Sequence, residues 1–171
     1  GYAAVPGTEG LRAAVARRIE AQTGVPTTVE NILITPGGQS ALFAAHMAVL
    51  NPGDIALYCD PYYATYPGTI RGTGAVDRAI LCDPANDFQP RATDLEAAAM
   101  GARSMLVNSP NNPTGVVYDR ATWEGIAHTC IAHHLWLISE EVDNPHLLQV
   151  PPVCPPTLPG THEPRLSLSS L

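Results

Sequence analysis

The sequence holds 171 residues, 45% of them hydrophobic and 15% charged, with a formal net charge of −7. That balance suits one globular domain with a sizeable core and excludes a disordered segment, while the negative charge argues against a nucleic-acid or anionic-membrane surface. All nine basic side chains are arginine, so these residues offer no amine side chain as a nucleophile or Schiff-base former.

Leu11, Val15 and Ile19 recur at four-residue spacing and predict an amphipathic helix from Thr8, stopped by Gly24 and Pro26. Residues 32–35 read as a short strand that breaks at Pro36-Gly37-Gly38, and residues 40–50 as a helix of small residues. After the turn Asn51-Pro52-Gly53-Asp54, residues 55–58 read as a strand, and Asp60-Pro61 breaks the chain before a helical stretch from Tyr62. Strands are further predicted over 76–81, 104–107 and 135–138, helices over 93–101 and 120–134, and a long polar turn over 108–115. Strands that alternate with helices and are apolar throughout predict an α/β fold, a mainly parallel sheet with helices on both faces. Six of the 17 prolines fall between Pro151 and Pro164, which predicts an extended surface connection, followed by a strand over 165–171.

The cysteines Cys59, Cys82, Cys130 and Cys154 are far apart in sequence and form no C-x-x-C pair. Free thiols in a reducing compartment are expected, and no metal site. No secretory leader and no apolar run of membrane-spanning length is evident in these residues, though a sequence that begins with Gly1 says little about targeting; a cytoplasmic location is the prior expectation. His133-His134 reads as a helix end, His46 as a tolerated helix position, Trp123 and Trp136 as core, and Arg17 and Arg18 as solvated helix surface.

In an open parallel sheet ligands sit at the carboxyl ends of the strands. Gly37-Gly38-Gln39-Ser40 opens a helix there, where unpaired N–H groups and the dipole favour a phosphate. Pro61-Tyr62-Tyr63-Ala64-Thr65-Tyr66 offers a flat face for a ring. Asn108, Asn111 and Asn112 offer donors to an anionic oxygen, and Ser139-Glu140-Glu141-Val142-Asp143 sets carboxylates at the end of a buried strand. Phosphate cradle, ring-stacking aromatic, amide donor and carboxylate are the parts needed to hold pyridoxal phosphate.

From Tyr2 to about Val142, and more loosely to Leu171, the chain resembles the fold type I pyridoxal-phosphate aminotransferases of the class I/II, aspartate aminotransferase-like group. The residues that carry the resemblance are Val107-Asn108-Ser109-Pro110-Asn111-Asn112-Pro113-Thr114-Gly115, similar to the family's N-P-T-G motif, with Thr35-Pro36-Gly37-Gly38-Gln39-Ser40-Ala41-Leu42, Pro61-Tyr62-Tyr63-Ala64-Thr65-Tyr66-Pro67 and Gly7-Thr8-Glu9-Gly10-Leu11-Arg12. It implies that the backbone of Gly38 and Gln39 binds the cofactor phosphate, that Tyr63 stacks on the pyridine ring, that Asn112 donates to the ring's phenolic oxygen, and that Tyr2 reaches the phosphate of a partner subunit in a homodimer.

Glu140 stands where the family has an aspartate at the pyridine nitrogen, one methylene longer, and Asp143 where it has a tyrosine. The family's Schiff-base lysine is expected two residues past Leu171, with Ser170 in the serine position of its S-x-x-K motif. By this resemblance residues 1–150 are a partial cofactor-binding large domain, residues 151–171 a connection and the start of a strand, and the small C-terminal domain with its substrate-carboxylate arginine lies outside the chain. The implied activity is amino-group transfer between an amino acid and a 2-oxo acid, inactive in this stretch alone. A lyase or decarboxylase of the same family and a non-catalytic binding or dimerisation module are the alternatives.

Overall fold

The computed structural model describes residues 2–141 and 165–169. Asp143, Cys154, the proline-rich stretch and Ser170 therefore lie outside the described residues.

The first helix, α1 (Glu9–Thr23), ends where Gly24 takes a left-handed φ of 70° and returns its N–H to the Glu20 carbonyl. Few residues other than glycine adopt that angle without strain. Arg12 leaves this helix to donate from Nε to the Ile32 carbonyl at 3.0 Å. The strand expected over 32–35 is absent. A 3-10 turn (Val29–Asn31) precedes it, the Ile34 N–H goes to the Pro6 carbonyl and the Gly37 N–H to Thr35. The backbone bonds of this run that are seen go to the turn before it, to Pro6, to Gly37 and to Arg12 rather than to a neighbouring strand.

The remaining elements alternate as expected: α2 (Gly38–Val49), β1 (Ile55–Asp60), α3 (Tyr66–Gly72), β2 (Val76–Leu81), α4 (Ala92–Ala99), β3 (Ala102–Asn108), α5 (Arg120–Ala132), β4 (Trp136–Glu141) and β5 (Arg165–Ser169). α3 begins four residues after the expected Tyr62, because Tyr62 and Tyr63 stay in the loop that leaves β1. α5 starts on a side-chain cap, Asp119 accepting from the Thr122 N–H at 2.7 Å.

The five strands form one parallel sheet in the order β2-β1-β3-β4-β5. The connection through α3 runs one way along the sheet and those through α4 and α5 run the other, so right-handed crossovers place them on opposite faces. On one face Leu57, Met105 and Leu137 pack against Leu95, Trp123, Ile126 and Cys130. On the other, Ala56, Tyr58, Leu106, Ile138 and Leu168 meet Leu42, Ala45, Val49, Tyr66 and Ile70. The expected α/β architecture with both faces covered is the observed one. β2, at the end of the strand order, leaves Val76 and Leu81 exposed, unlike the buried runs of β1 and β3.

Cys59, Cys82 and Cys130 are buried free thiols, and burial pushes Cys130 up to about 12. Among the described residues no cluster of His, Cys, Asp or Glu could hold a metal, and no helix is long and apolar enough to cross a membrane.

Candidate active site at the carboxyl edge of the sheet

The strand order reverses direction between β1 and β3. At such a switch point the loops after neighbouring strands diverge and open a crevice. Four of the expected site segments meet at this edge: the start of α2, the loop after β1, the loop after β3 and the last residues of β4.

Gly37 caps α2 with a φ of 87°, leaving the first-turn N–H groups of Gly38, Gln39 and Ser40 without partners inside the helix. The space above Gly38 is open. A Cβ built there would meet only Glu140 Oε1 within 4 Å, at 3.9 Å. The Gln39 side chain is turned aside: its Nε2 donates to Thr69 Oγ1 and its Oε1 accepts from Thr65 Oγ1 at 2.8 Å. These bonds fix the first turn of α2 to α3 and leave only the Gln39 backbone for an anion. The open depression lined by Gln39, Ser40, Phe43, Thr65, Gly68 and Thr69 lies between the exposed sides of the same two helices and shares only Gln39 with the expected site residues.

Tyr62 packs edge-on against Tyr58, ring centroids 4.9 Å apart, and so lies partly buried against the core. Tyr63 is 43% exposed and meets Tyr66 edge-on, ring centroids 6.0 Å apart. Tyr66, buried at the start of α3, donates its hydroxyl to Glu140 Oε2. Burial and the Glu140 carboxylate both push the Tyr66 phenol far above its ordinary range, so it keeps its proton and remains a donor. The longer arm of glutamate thus ends on a fixed partner.

In the loop after β3 the asparagines divide the work. Asn111 accepts from Thr114 Oγ1 at 2.7 Å and donates to the Pro61 carbonyl at 3.2 Å. Asn108 donates to the Glu140 carbonyl at 3.1 Å and accepts the Asn112 N–H at 2.7 Å. Asn112 itself presents an exposed side chain. The structure therefore brings Gly38, Gln39, Tyr63, Asn112 and Glu140 to one edge. Tyr2 does not join them within the chain; it is fully exposed.

A profile of the family described as aminotransferase class I and II matches residues 1–142. The chain belongs to that family. It is 36% identical to the arginine–pyruvate transaminase AruH of Pseudomonas aeruginosa over 99% of its own length and 44% of that protein's. It is 35% identical to the aspartate/prephenate aminotransferase of Thermus thermophilus over 86% of its length and 38% of the relative's. The Thermus thermophilus aspartate aminotransferase structure with maleate superposes with a TM-score of 0.91 at 32% identity, covering 99% of this chain and 44% of that one. The Escherichia coli protein YbdL, whose crystal structure and reactivity identify a methionine aminotransferase function, gives a TM-score of 0.91 at 26% identity, over 99% of this chain and 45% of that one. The chain thus spans less than half the length of these aminotransferases.

Sequence reasoning passed over Tyr66 and Asn108 as holders of Glu140, and Thr65 and Thr69 as holders of Gln39. Tyr66 gave no local signal, since Tyr63 stays in the loop and Glu140 lies 74 residues further on. Asn108 gave only a weak one, a polar residue ending a buried apolar strand.

Proposed function

We propose that the chain is the cofactor-binding part of a pyridoxal-phosphate-dependent aminotransferase that moves an amino group between an amino acid and a 2-oxo acid and works as a homodimer. The observation that carries this reading is the convergence of open helix N–H groups, a half-exposed tyrosine ring, an exposed amide and a tethered carboxylate at one sheet edge. The residues fit the cofactor in particular at Gly38, where a Cβ would project into open space beside Glu140.

In this reading the N–H groups of Gly38 and Gln39, at the positive end of the α2 dipole, hold the phosphate. Tyr63 covers one face of the ring and keeps water from it. The Asn112 amide donates to the phenolic oxygen, and Glu140 keeps a proton on the pyridine nitrogen. When bound, pyridoxal phosphate supplies an electron sink for the carbanion that forms at the substrate. Tyr2 would act across the dimer, which is consistent with its having no partner among the site residues of its own chain. Any lysine that the chemistry uses comes from outside these 171 residues, since their basic side chains are all arginine.

The test is equilibrium binding of pyridoxamine 5'-phosphate, which needs no lysine, against pyridoxamine without its phosphate. Saturable binding that depends on the phosphate and weakens in Gly38→Val supports the reading. Equal affinity for both ligands would remove the phosphate cradle from it.

A further inference from the structure

The geometry points to Asn108 as a positioning residue that couples the two ends of the ring site, holding the backbone of Glu140 on the nitrogen side and that of Asn112 on the phenolic-oxygen side through one side-chain amide. This inference rests on the cofactor reading above and goes beyond it, because Asn108 itself touches no part of the ring.

Asn108 is the last residue of β3 and the register partner of Glu140 on β4. The ladder stops there, since the next residues are Ser109-Pro110 and proline has no N–H with which to continue it. The Asn108 side chain takes over. Its Nδ2 donates to the Glu140 carbonyl at 3.1 Å, and its Oδ1 accepts from the Asn112 N–H at 2.7 Å. It is only 4% exposed, so water cannot readily replace either bond.

An amide is the group this place requires. It carries a donor and an acceptor in one plane, where aspartate lacks the donor and leucine lacks both. The other ends of the two held residues are free to work: Glu140 has its carboxylate on Tyr66 and beside Gly38, and Asn112 its exposed side chain. Asn111 anchors the same loop to the Pro61 carbonyl, but it reaches neither Glu140 nor the Asn112 backbone in the bonds it makes. A shift of Asn108 therefore moves carboxylate and amide together, whereas other contacts in the loop move one at a time.

The experiment titrates the 171-residue chain with pyridoxamine 5'-phosphate labelled with 15N in the ring. The wild-type chain should bind it with the ring nitrogen in its protonated position. Asn108→Ala should weaken binding about ten- to hundredfold, as two buried hydrogen bonds are lost, and move the nitrogen resonance toward the unprotonated position although Glu140 is intact. In that background Asn112→Ala should cost little further affinity. Asn108→Asp keeps the acceptor for the Asn112 N–H but loses the donor to the Glu140 carbonyl, so there the nitrogen resonance should still move while Asn112→Ala costs as much as in wild type, and this pair of readings decides the matter if Asn108→Ala unfolds. Coupling is refuted if Asn108→Ala leaves the nitrogen resonance in place, if Asn112→Ala costs the same with Asn108 replaced by alanine, or if its cost disappears in Asn108→Asp. A wild-type chain that does not bind the probe removes the cofactor reading itself, a result distinct from any of these.

Discussion

The two faces of the sheet are built for different tasks. The α4/α5 face is mainly apolar, with Leu95, Met105 and Ile126 wholly buried beside the smaller polar side chains of Thr129 and Ser139. The α2/α3 face buries apolar residues too, but admits polar ones among them. Tyr66 reaches Glu140, and Tyr58 donates to Asp77 Oδ2 at 3.1 Å. His46 is fully buried with neither ring nitrogen hydrogen-bonded. Ser104 Oγ is likewise unpartnered and projects to this same face, two residues before Leu106 on β3. The face that orients the site carries the side chains that hold Glu140, whereas the opposite face is filled mainly by apolar packing.

The sharpest way to break this contrast is a deletion in the apolar face. Ile126→Ala should cost about 2–5 kcal/mol in denaturant unfolding, with pyridoxamine 5'-phosphate affinity unchanged once the chain is folded. A loss of ligand affinity larger than the loss of stability would show that the faces are not separable.

The second effect comes from His46. Burial lowers its pKa from 6.5 to about 4, so the folded state resists protonation more than the unfolded state does. Its contribution is full above pH 6.5 and is lost as pH falls to 4, a change of about 3 kcal/mol. His46→Leu, of similar size and without the unpartnered nitrogens, should flatten stability between those pH values. A pH profile identical to wild type would remove His46 from the acid response.

Tyr66→Phe should cost somewhat less, about 1.5–3 kcal/mol for a hydrogen bond to a carboxylate. Unlike Ile126→Ala, it should also weaken ligand binding, because Glu140 loses the partner that fixes it. Parallel unfolding and binding titrations separate the two variants.

The smallest effect lies between α4 and the end of α5. His133 Nε2 pairs with Glu96 Oε2 at 2.7 Å and Thr129 donates to Glu96 Oε1 at 2.8 Å. The His133 bond, then the Thr129 bond, lower the Glu96 pKa. The stabilisation is present above the ordinary carboxylate value of 4.5 and fades as pH falls through the lowered one, below most of the His46 window. The carboxylate is exposed, so Glu96→Gln should have a small effect that salt reduces.

Much of this fold was legible in the sequence because its strands are short apolar runs fenced by Pro, Gly and Asn, and its helices carry spacing or cap signals. Residues 76–81 match β2 end for end. The failure at residues 32–35 has a physical cause: an apolar tetrad says nothing of where its backbone bonds go, and Arg12, twenty residues earlier, takes one of them. His46 does lie within a helix, but its burial was not legible for a similar reason. An alanine-rich helix tolerates histidine on any side, and only the packed structure shows it facing the core.

At the site, the residue types that present ligand-binding chemistry were visible as motifs at strand ends, and the structure sets Gly38, Gln39, Tyr63, Asn112 and Glu140 at one edge. The supporting residues were not visible. Tyr66, Thr65, Thr69 and Asn108 act through contacts 26 to 74 residues apart in sequence or through a neighbouring strand, and no local pattern marks such partners.

In the proposed function Glu140, held by Tyr66, serves the ring nitrogen of a pyridoxal-type cofactor. The most direct measurement is the 15N resonance of ring-labelled pyridoxamine 5'-phosphate on the wild-type chain and on Glu140→Gln. A protonated nitrogen on wild type that becomes unprotonated on Glu140→Gln is the predicted result. Binding with the same nitrogen state on both proteins would contradict the claim.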